Sequence, residues 1–564
     1  MNLPLVQEEG FFIFMYNSAI AGWKKDLKMS NDWNMKSYMK GAAMLTVAAI
    51  IVKLLSAVYR VPFQNLVGDE GFYIYQQVYP FIAIITTWTS FGFAIALSKI
   101  LSDYKANGKT FAIPKIRKIA FYYIGIISII FFVFLFFGAN LLGSFMGDVQ
   151  LAQLLRAGSY VILLMPLLAV LKGEFQAEGR MGTVAYAQIL EQAIRVSVIL
   201  LGTWVVLLNS SDLYKAGSMA MYGAVAGELG GVVFLGIVYW KITKKTGKEE
   251  SVGSVPVWPI VKQLTMLSIS ASISALLFLL LQLVDSFTVF QLLIDNGMGR
   301  QEAMEKKGVY DRGQPLVQLG IVIASTLSLS IVPLVAHRLN KDKGRTAQPF
   351  MQLTFRIAFT FGIAAALGLI AVLPYLNEML FKTRAESITL MVFSLQIIWM
   401  SLILTFMAML QGGGKVRVPT LILLLCVCCK WILNGILIPS YGVIGAAWSG
   451  NASLAIACML MLLYFKKQWK IRFAPNSFYK GVAQASLVMF VIVIAYTRLI
   501  DHFPVEILSS RVEAVVISLS SVMLGAIVFI FLLTKRRVIA EKEWFLLPFG
   551  RRMAKLQLWL NKEK

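Results

Sequence analysis

Charged side chains are scarce in this sequence, and so are the residues on which metal and redox chemistry depend. Only 15% of the 564 residues are charged, whereas a typical soluble domain has about a quarter. The two histidines, His337 and His502, are far apart, so no metal site is predicted. All four cysteines fall in apolar segments and are predicted to be small buried hydrophobic residues: Cys426, Cys428, Cys429 and Cys458. This composition argues against a soluble catalytic domain.

Motifs of nucleotide hydrolysis and of enzymatic catalysis are also missing. The Gly412-Gly413-Gly414-Lys415 segment lacks the spacing of a phosphate-binding loop and the Ser or Thr that follows its lysine. There is no H-E-x-x-H, no pair of catalytic carboxylates and no nucleophile beside a base. The sequence therefore predicts a protein without enzymatic activity or cofactor, which would draw on the membrane potential or on a Na⁺ or H⁺ gradient.

Long apolar runs make up most of the chain. The sequence is 58% hydrophobic and has a mean hydropathy of +0.72. A helix of about 20 apolar residues crosses a hydrocarbon core about 30 Å thick. Hydropathy windows predict an all-α polytopic membrane protein with fourteen spanning helices, at 41–59, 72–98, 119–142, 152–171, 182–207, 217–240, 260–289, 313–336, 352–374, 388–410, 418–438, 441–465, 481–500 and 512–534.

Basic residues lie mainly in short loops between the apolar runs. The formal net charge is +24, but nucleic-acid binders gather such charge on one soluble face, so no nucleic-acid partner is predicted. The positive-inside rule places both termini in the cytoplasm, with segments such as 105–118 and 466–472 on that side. The longest outside loop, 291–312, balances four cations with four carboxylates, which is typical of a solvated loop.

The two ends of the chain differ from the rest. Residues 1–40 are predicted to be a cytoplasmic leader, in which the apolar segment 11–23 is too short to span a membrane. Either that segment is an interfacial helix, or the start codon has been assigned too far upstream and Met29 opens the protein. Residues 535–564 form a basic cytoplasmic tail, which is typical of an anchor for anionic lipid.

Two halves of the sequence resemble each other. The segment 175–180 has Gln, Gly and a cation at the same positions as 410–415, at an offset of 235 residues that also superimposes Arg195 on Lys430. We therefore predict two six-helix lobes related by a pseudo-twofold axis along the membrane normal, with a cavity between them. The predicted boundaries are an N-lobe at 41–240, a linker at 241–259, a C-lobe at 260–465 and two further helices within 466–534.

Cations within the predicted helices indicate an anion pathway. A Lys or Arg at a helix centre costs about 2.5–3.5 kcal/mol, so it usually faces a cavity or a partner. The candidates are Lys53, Arg60, Arg195, Arg356 and Lys430. Lys53 and Arg60 are seven residues apart, on one face of the first helix. Three alternatives stay open: Arg60 reaches the outer headgroups, Glu191 one turn away neutralises Arg195, and Arg356 is an interfacial anchor.

Carboxylates within the helices are fewer, and Glu191, Glu228 and Asp285 are the candidates for ion coupling. Asp285 follows an apolar run, where it could bind a coupling Na⁺ or H⁺ or pair with a cavity cation. Counting both signs, we expect the cavity to be positive.

One segment is similar to a known family. The sequences Tyr59-Arg60-Val61-Pro62 and Gly68-Asp69-Glu70-Gly71-Phe72-Tyr73-Ile74-Tyr75-Gln76-Gln77, followed by Ser98-Lys99, resemble bacterial polysaccharide-biosynthesis membrane proteins. More narrowly, they are similar to the group of stage V sporulation protein B and MurJ-type lipid II flippases, in the multidrug/oligosaccharidyl-lipid/polysaccharide exporter superfamily. In this segment Asp69, Gly71, Gln76 and Gln77 carry the motif.

The resemblance implies a bacterial inner-membrane protein that alternates between inward-open and outward-open states. Its substrate would be an undecaprenyl-pyrophosphate-linked glycan precursor, with membrane lipids and wall-synthesis enzymes as partners. Lys53 and Arg60 match the family's first-helix cations. Two features depart from the family: the cavity cations are partly Lys, and the eighth predicted helix, 314–335, has none.

Two other functions are compatible with the sequence. One is an ion-coupled antiporter of organic cations from the same superfamily, which a positive cavity disfavours. The other is a scaffold without transport activity that recruits wall-synthesis enzymes through the basic tail.

Overall fold

The computed structural model describes residues 44, 48, 51–52, 54–246, 255–329, 332, 335, 347–415, 417–501, 510–545 and 550–561. All the regular secondary structure in these ranges is helical. The predicted leader at 1–40, most of the first predicted helix and the candidate Lys53 lie outside the described residues.

Most of the described chain belongs to twenty α-helices, joined in places by short 3₁₀ or π-helical turns. In chain order they are α1 Arg60–Thr87, α2 Ala94–Ala106, α3 Ile113–Phe137, α4 Ala139–Phe145, α5 Ala152–Ser159, α6 Met165–Ala177, α7 Met181–Ser197, α8 Thr203–Asn209, α9 Leu213–Thr246, α10 Val257–Asp295, α11 Arg300–Leu329, α12 Gln348–Phe381, α13 Ser387–Ser394, α14 Gln396–Gly412, α15 Arg417–Tyr441, α16 Val443–Trp469, α17 Asn476–Asp501, α18 Ser510–Lys535, α19 Glu541–Trp544 and α20 Gly550–Leu560.

Twelve helical stretches in the described part of the chain are long and apolar enough to cross a membrane. They coincide with twelve of the fourteen predicted helices, so the polytopic all-α class is confirmed. The other two predicted spans are 41–59, which lies mostly outside the described residues, and 313–336, whose first part is the end of α11. The number fourteen therefore stays a prediction.

A glycine separates the end of the first predicted helix from the second. Gly68 has φ +71° and ψ −172° within α1, a conformation that L-residues with a Cβ rarely adopt. Helical structure continues on both sides of this kink, so the residues before Gly68 and the motif after it belong to two differently directed helices.

The predicted solvated loop at 291–312 is wrong. Helix α11 begins at Arg300, and the side chains of Lys307, Asp311 and Arg312 are buried, with exposures of 1%, 0% and 1%. Charges lower the mean hydropathy of a window, but these charges pair with carboxylates or cations inside the protein and therefore need no water.

The two repeat motifs form the same turn. Gly179 after α6 and Gly414 after α14 have φ of +74° and +73°. In each turn the amide of the following cation, Arg180 or Lys415, donates a 2.8 Å hydrogen bond to a carbonyl five residues earlier. This shared geometry supports the internal repeat, and the lobe boundaries stay predictions.

The cysteines only partly match their prediction. Cys426 and Cys458 are buried, whereas Cys428 is exposed and Cys429 is half-buried. Both of the less buried thiols lie on α15, whose outer side faces away from the helix packing.

Candidate functional site

Arg60 lies at the start of α1 in an aromatic pocket. Its side chain is fully buried, and its guanidinium carbon is 4.5 Å from the ring centroid of Tyr79. Beside it, the hydroxyl groups of Tyr59 and Tyr75 form a hydrogen bond of 2.7 Å. Among the described residues, no carboxylate pairs with the guanidinium and none of its nitrogens makes a well-formed hydrogen bond, although the Tyr59 hydroxyl lies close by. The alternative in which Arg60 reaches out to headgroups is contradicted, because that side chain has no exposed surface.

An unpaired buried guanidinium is costly. Removing a charge from water costs several kcal/mol unless it is paired or hydrogen-bonded. The cation–π contact with Tyr79 offsets about 2 kcal/mol of this cost at a desolvated site. The five N–H donors of Arg60 therefore favour an anionic ligand that provides acceptor oxygens.

Arg195 on α7 lies in the same region and pairs with Glu228 of α9, at 2.7 Å. Arg195 lies within electrostatic range of the same three tyrosines, Tyr59, Tyr75 and Tyr79, as Arg60. The Arg195 side chain keeps 21% of its surface exposed. We call these five residues, Tyr59, Arg60, Tyr75, Tyr79 and Arg195, the arginine–tyrosine site.

Glu191 does not neutralise Arg195, although it is one turn away. It pairs instead with Lys172 of α6 at 2.8 Å. Helix α9 packs closely against α7 beside this pair, since a Cβ at Gly231 would lie 2.1 Å from Glu191 Oε1. The helical spacing that suggested the pair is correct, but tertiary contacts determine the partner.

Lys430 and Asp285 form an ion pair across two helices. Lys430 Nζ on α15 lies 2.9 Å from Asp285 Oδ1 on α10. The two residues are 1% and 3% exposed. Of the two roles predicted for Asp285, this is the pairing with a cation.

Arg356 belongs to a different part of the protein. Its guanidinium pairs with Glu543 of α19, in the segment that follows the last predicted span. The Trp544 indole next to Glu543 donates a 2.5 Å hydrogen bond to Gln557 of α20. Arg356 thus fastens the C-terminal segment to α12 and is not part of the arginine–tyrosine site.

Most charges inside the helices cancel in pairs. The observed pairs are Arg117–Glu174, Lys172–Glu191, Arg195–Glu228, Arg300–Asp148, Lys307–Asp311, Arg312–Asp69 and Lys430–Asp285. Within the described ranges, Arg60 is the buried cation that has no carboxylate partner. The expected positive charge of the site therefore comes from Arg60, and not from Arg195 and Lys430, which are paired with carboxylates.

The family-like motif joins the two halves of the chain. Asp69 accepts from the Arg312 guanidinium and from Gln64 at 2.9 Å. The Gln76 amide donates to Gln314 Oε1 at 2.8 Å, and Gln77 donates to the Ser286 carbonyl at 3.1 Å.

A close helix approach accompanies these bonds. A Cβ at Gly308 on α11 would lie 2.1 Å from the Asp69 carbonyl oxygen. Gly71 is similarly close to Val67 across the kink, since its Cβ would lie 2.5 Å from that of Val67. We call the set Asp69, Gln76, Gly308, Arg312 and Gln314 the α1–α11 contact.

Sequence reasoning missed Lys172, Lys307, Asp311 and Arg312. Lys307 and Asp311 are four residues apart, a spacing that puts them on one helix face, and this was the available signal. Arg312 lies just before the predicted eighth helix and supplies the cation that its sequence lacks. Asp311 is within electrostatic range of Arg60, so α11 approaches the arginine–tyrosine site.

In the described part of the chain, no group of three His, Cys, Asp or Glu side chains is arranged to hold a metal ion. The buried carboxylates described above pair mainly with Lys and Arg side chains.

Comparisons with known proteins agree with the resemblance read from the motif. Residues 38–338 match the sequence pattern of the family described as "Polysaccharide biosynthesis protein". An uncharacterized membrane protein of Bacillus subtilis (strain 168), YabM, is 37% identical over 523 residues, which are 92% of this chain and 96% of that protein.

Two further relatives from the same organism carry functional names. The stage V sporulation protein B is 26% identical over 330 residues, or 58% of this chain and 63% of that protein. The lipid II flippase MurJ is 24% identical over 421 residues, or 70% of this chain and 76% of that protein.

The fold also has a counterpart among solved structures. A structure titled "Lipid II flippase MurJ, inward closed conformation" matches with a TM-score of 0.62 and 14% identity, over 88% of this chain and 99% of that one. At this identity the match concerns the fold.

Proposed function

Because the chain belongs to the polysaccharide biosynthesis protein family, we propose that it is a flippase of the bacterial cell membrane. It moves an undecaprenyl-pyrophosphate-linked cell-wall or polysaccharide precursor, such as a lipid II-like molecule, from the inner to the outer leaflet. The observation that carries this proposal is the buried guanidinium of Arg60, which has no carboxylate partner among the described residues.

The chemistry of Arg60 suits a pyrophosphate. Guanidinium and phosphate form paired, charge-assisted hydrogen bonds. An anionic headgroup needs such a partner when it leaves water, whereas its polyprenyl tail can stay in the hydrocarbon throughout. Arg195, which is partly exposed and balanced by Glu228, would widen the site without adding net charge.

The α1–α11 contact supports alternating access. If both termini are cytoplasmic, this contact lies toward the outer leaflet. It would then close the outer side of the pathway and would have to separate to release the headgroup outward. The bonds that would break are few and polar, and water can replace them.

An antiporter of organic cations is less well supported. Such a substrate would need an unpaired buried carboxylate, and each of the candidates Glu191, Glu228 and Asp285 is paired with a cation. A scaffold role through the basic tail, with wall-synthesis enzymes as partners, would not account for an unpaired arginine between helices.

The test is translocation of a defined undecaprenyl-pyrophosphate glycan in vesicles containing the purified protein. We expect Arg60→Gln to reduce flipping by at least about 100-fold, because losing a charged partner of a desolvated anion costs about 3 kcal/mol. Arg60→Lys should retain part of the activity, since it keeps the charge but loses the paired geometry.

Arg156→Gln is the matched control. It removes the same group from a half-buried arginine whose Nη2 donates to Asn140 at 3.1 Å, away from the site, and it should leave flipping unchanged. Equal activity of Arg60→Gln and the unmodified protein, at equal reconstitution, would rule out the proposed function.

A further inference from the structure

Asp285 lies at the centre of a buried polar cluster in the C-terminal half. Its Oδ1 atom is 2.9 Å from Lys430 Nζ and accepts a hydrogen bond of 3.2 Å from Asn434 Nδ2. Its Oδ2 atom accepts a hydrogen bond of 2.9 Å from the Tyr310 hydroxyl. Helices α10, α11 and α15 therefore meet at one carboxylate.

Asn434 extends the cluster to a fourth helix. Its amide nitrogen also donates to the Thr288 hydroxyl at 2.7 Å, and its carbonyl oxygen accepts from the Ser449 hydroxyl of α16. These side chains are at most 7% exposed. The cluster gathers carboxylate, amide and hydroxyl oxygens, which are the ligands that hard cations prefer.

The cation in this cluster belongs to the protein. We infer that the Lys430 ammonium takes the place of a bound monovalent cation beside Asp285, whose carboxylate is linked through Asn434 to the hydroxyl groups of Thr288 and Ser449. The backbone leaves room for it, because a Cβ at Gly450 would lie only 3.2 Å from Lys430 Nζ. One carboxylate is balanced by one ammonium, so a free cation would meet no uncompensated negative charge there.

This inference rests on the proposed function and concerns its energy source. A site already filled by a side chain cannot exchange Na⁺ with the two compartments during a transport cycle. Flipping by this protein therefore does not depend on Na⁺. Without the ammonium, Asp285 would be an uncompensated buried charge, and the surrounding oxygens would recruit Na⁺ to neutralise it.

Thermal unfolding of the purified full-length protein tests the site without any transport substrate. Melting is compared in sodium chloride and in choline chloride at equal ionic strength. The unmodified protein should melt at the same temperature in both salts. Lys430→Met should be destabilised in choline and should gain about 3 °C or more in sodium, because a ligand that binds only the folded state raises the melting temperature.

The double variant Lys430→Met/Asp285→Asn is the matched control. It removes both charges, so it should show no sodium effect. A Lys430→Met protein that folds but melts equally in both salts would overturn the inference, and so would a sodium effect in the unmodified protein. If Lys430→Met cannot be purified in choline, recovery in sodium buffer alone supports the inference, and failure in both salts counts against it.

Flipping assays form the second arm. The unmodified protein should flip at equal rates with sodium or choline, within about twofold. A sodium requirement in the unmodified protein would overturn the inference while leaving the flippase proposal intact. Absence of flipping in every salt would instead remove the flippase proposal and leave the thermal result as the test of the site.

Discussion

At the scale of single residues, the ion pairs between helices stabilise the protein only as complete pairs. Lys172 and Glu191 show this clearly, since their side chains are 0% and 8% exposed. Each charge has lost most of its hydration, and their mutual attraction offsets that loss. Removing one partner leaves the other buried without compensation, whereas replacing both with apolar groups removes the desolvation cost as well.

We therefore predict that Lys172→Met lowers the free energy of unfolding by about 3–5 kcal/mol. The double variant Lys172→Met/Glu191→Leu should recover most of this loss, because no unpaired charge remains. Thermal unfolding of the purified variants measures both effects. A double variant that is no more stable than Lys172→Met would show that the pair is not the stabilising unit.

The sequence pointed to three of the cations inside the helices, but not to their partners. Arg60, Arg195 and Lys430 stand out in the sequence because they interrupt apolar helices. Their partners Glu228 and Asp285 come from other helices, and sequence spacing reports neighbours only along one helix. Only the structure distinguishes Arg60, which has no carboxylate partner in the described ranges, from the other two.

At the scale of helices, the close approach of α11 to α1 depends on a residue without a side chain. Gly308 is the position where α11 contacts the Asp69 carbonyl. A methyl group there would separate the two helices and weaken the bonds of Arg312 and Gln314 to α1. The same approach explains why the start of α11 was misassigned, since hydropathy windows read its paired charges as solvated.

We predict that Gly308→Ala opens the α1–α11 contact. Spin labels on cysteines at Glu70 and Gln301, which are joined by a 2.8 Å hydrogen bond, would report the separation in a background without native cysteines. The short-distance population should fall in Gly308→Ala. It should persist in Gly299→Ala, where no neighbour lies within 4 Å of the added Cβ.

An unchanged distance distribution in Gly308→Ala would mean that the contact tolerates the methyl group. Gly308 would then not be required for α11 to pack against α1.

At the scale of the whole molecule, the sequence predicted the class of fold well. Apolar runs and the motif after Gly68 were sufficient to predict the fold class. A membrane-spanning segment must satisfy its backbone hydrogen bonds internally, so it forms a long apolar helix that is recognisable in the sequence. The net charge of +24 indicated the membrane topology, but it did not predict the net charge of the protein interior. Inside, the observed pairs cancel, so in the described part of the chain the field along the proposed pathway comes chiefly from Arg60.

An interior with so little net charge makes the substrate the main carrier of moved charge, and flipping should therefore respond to voltage. With the inside negative, carrying one negative charge outward gains about 2.3 kcal/mol per 100 mV, or roughly 50-fold in the equilibrium. In vesicles with a potassium diffusion potential, outward flipping of the pyrophosphate lipid should rise with the inside negative and fall when the polarity is reversed. A sodium gradient alone, with the potential clamped at zero, should change nothing. Equal flipping at both polarities would mean that compensating charges move with the headgroup, and that the pairs seen here do not stay intact through the cycle.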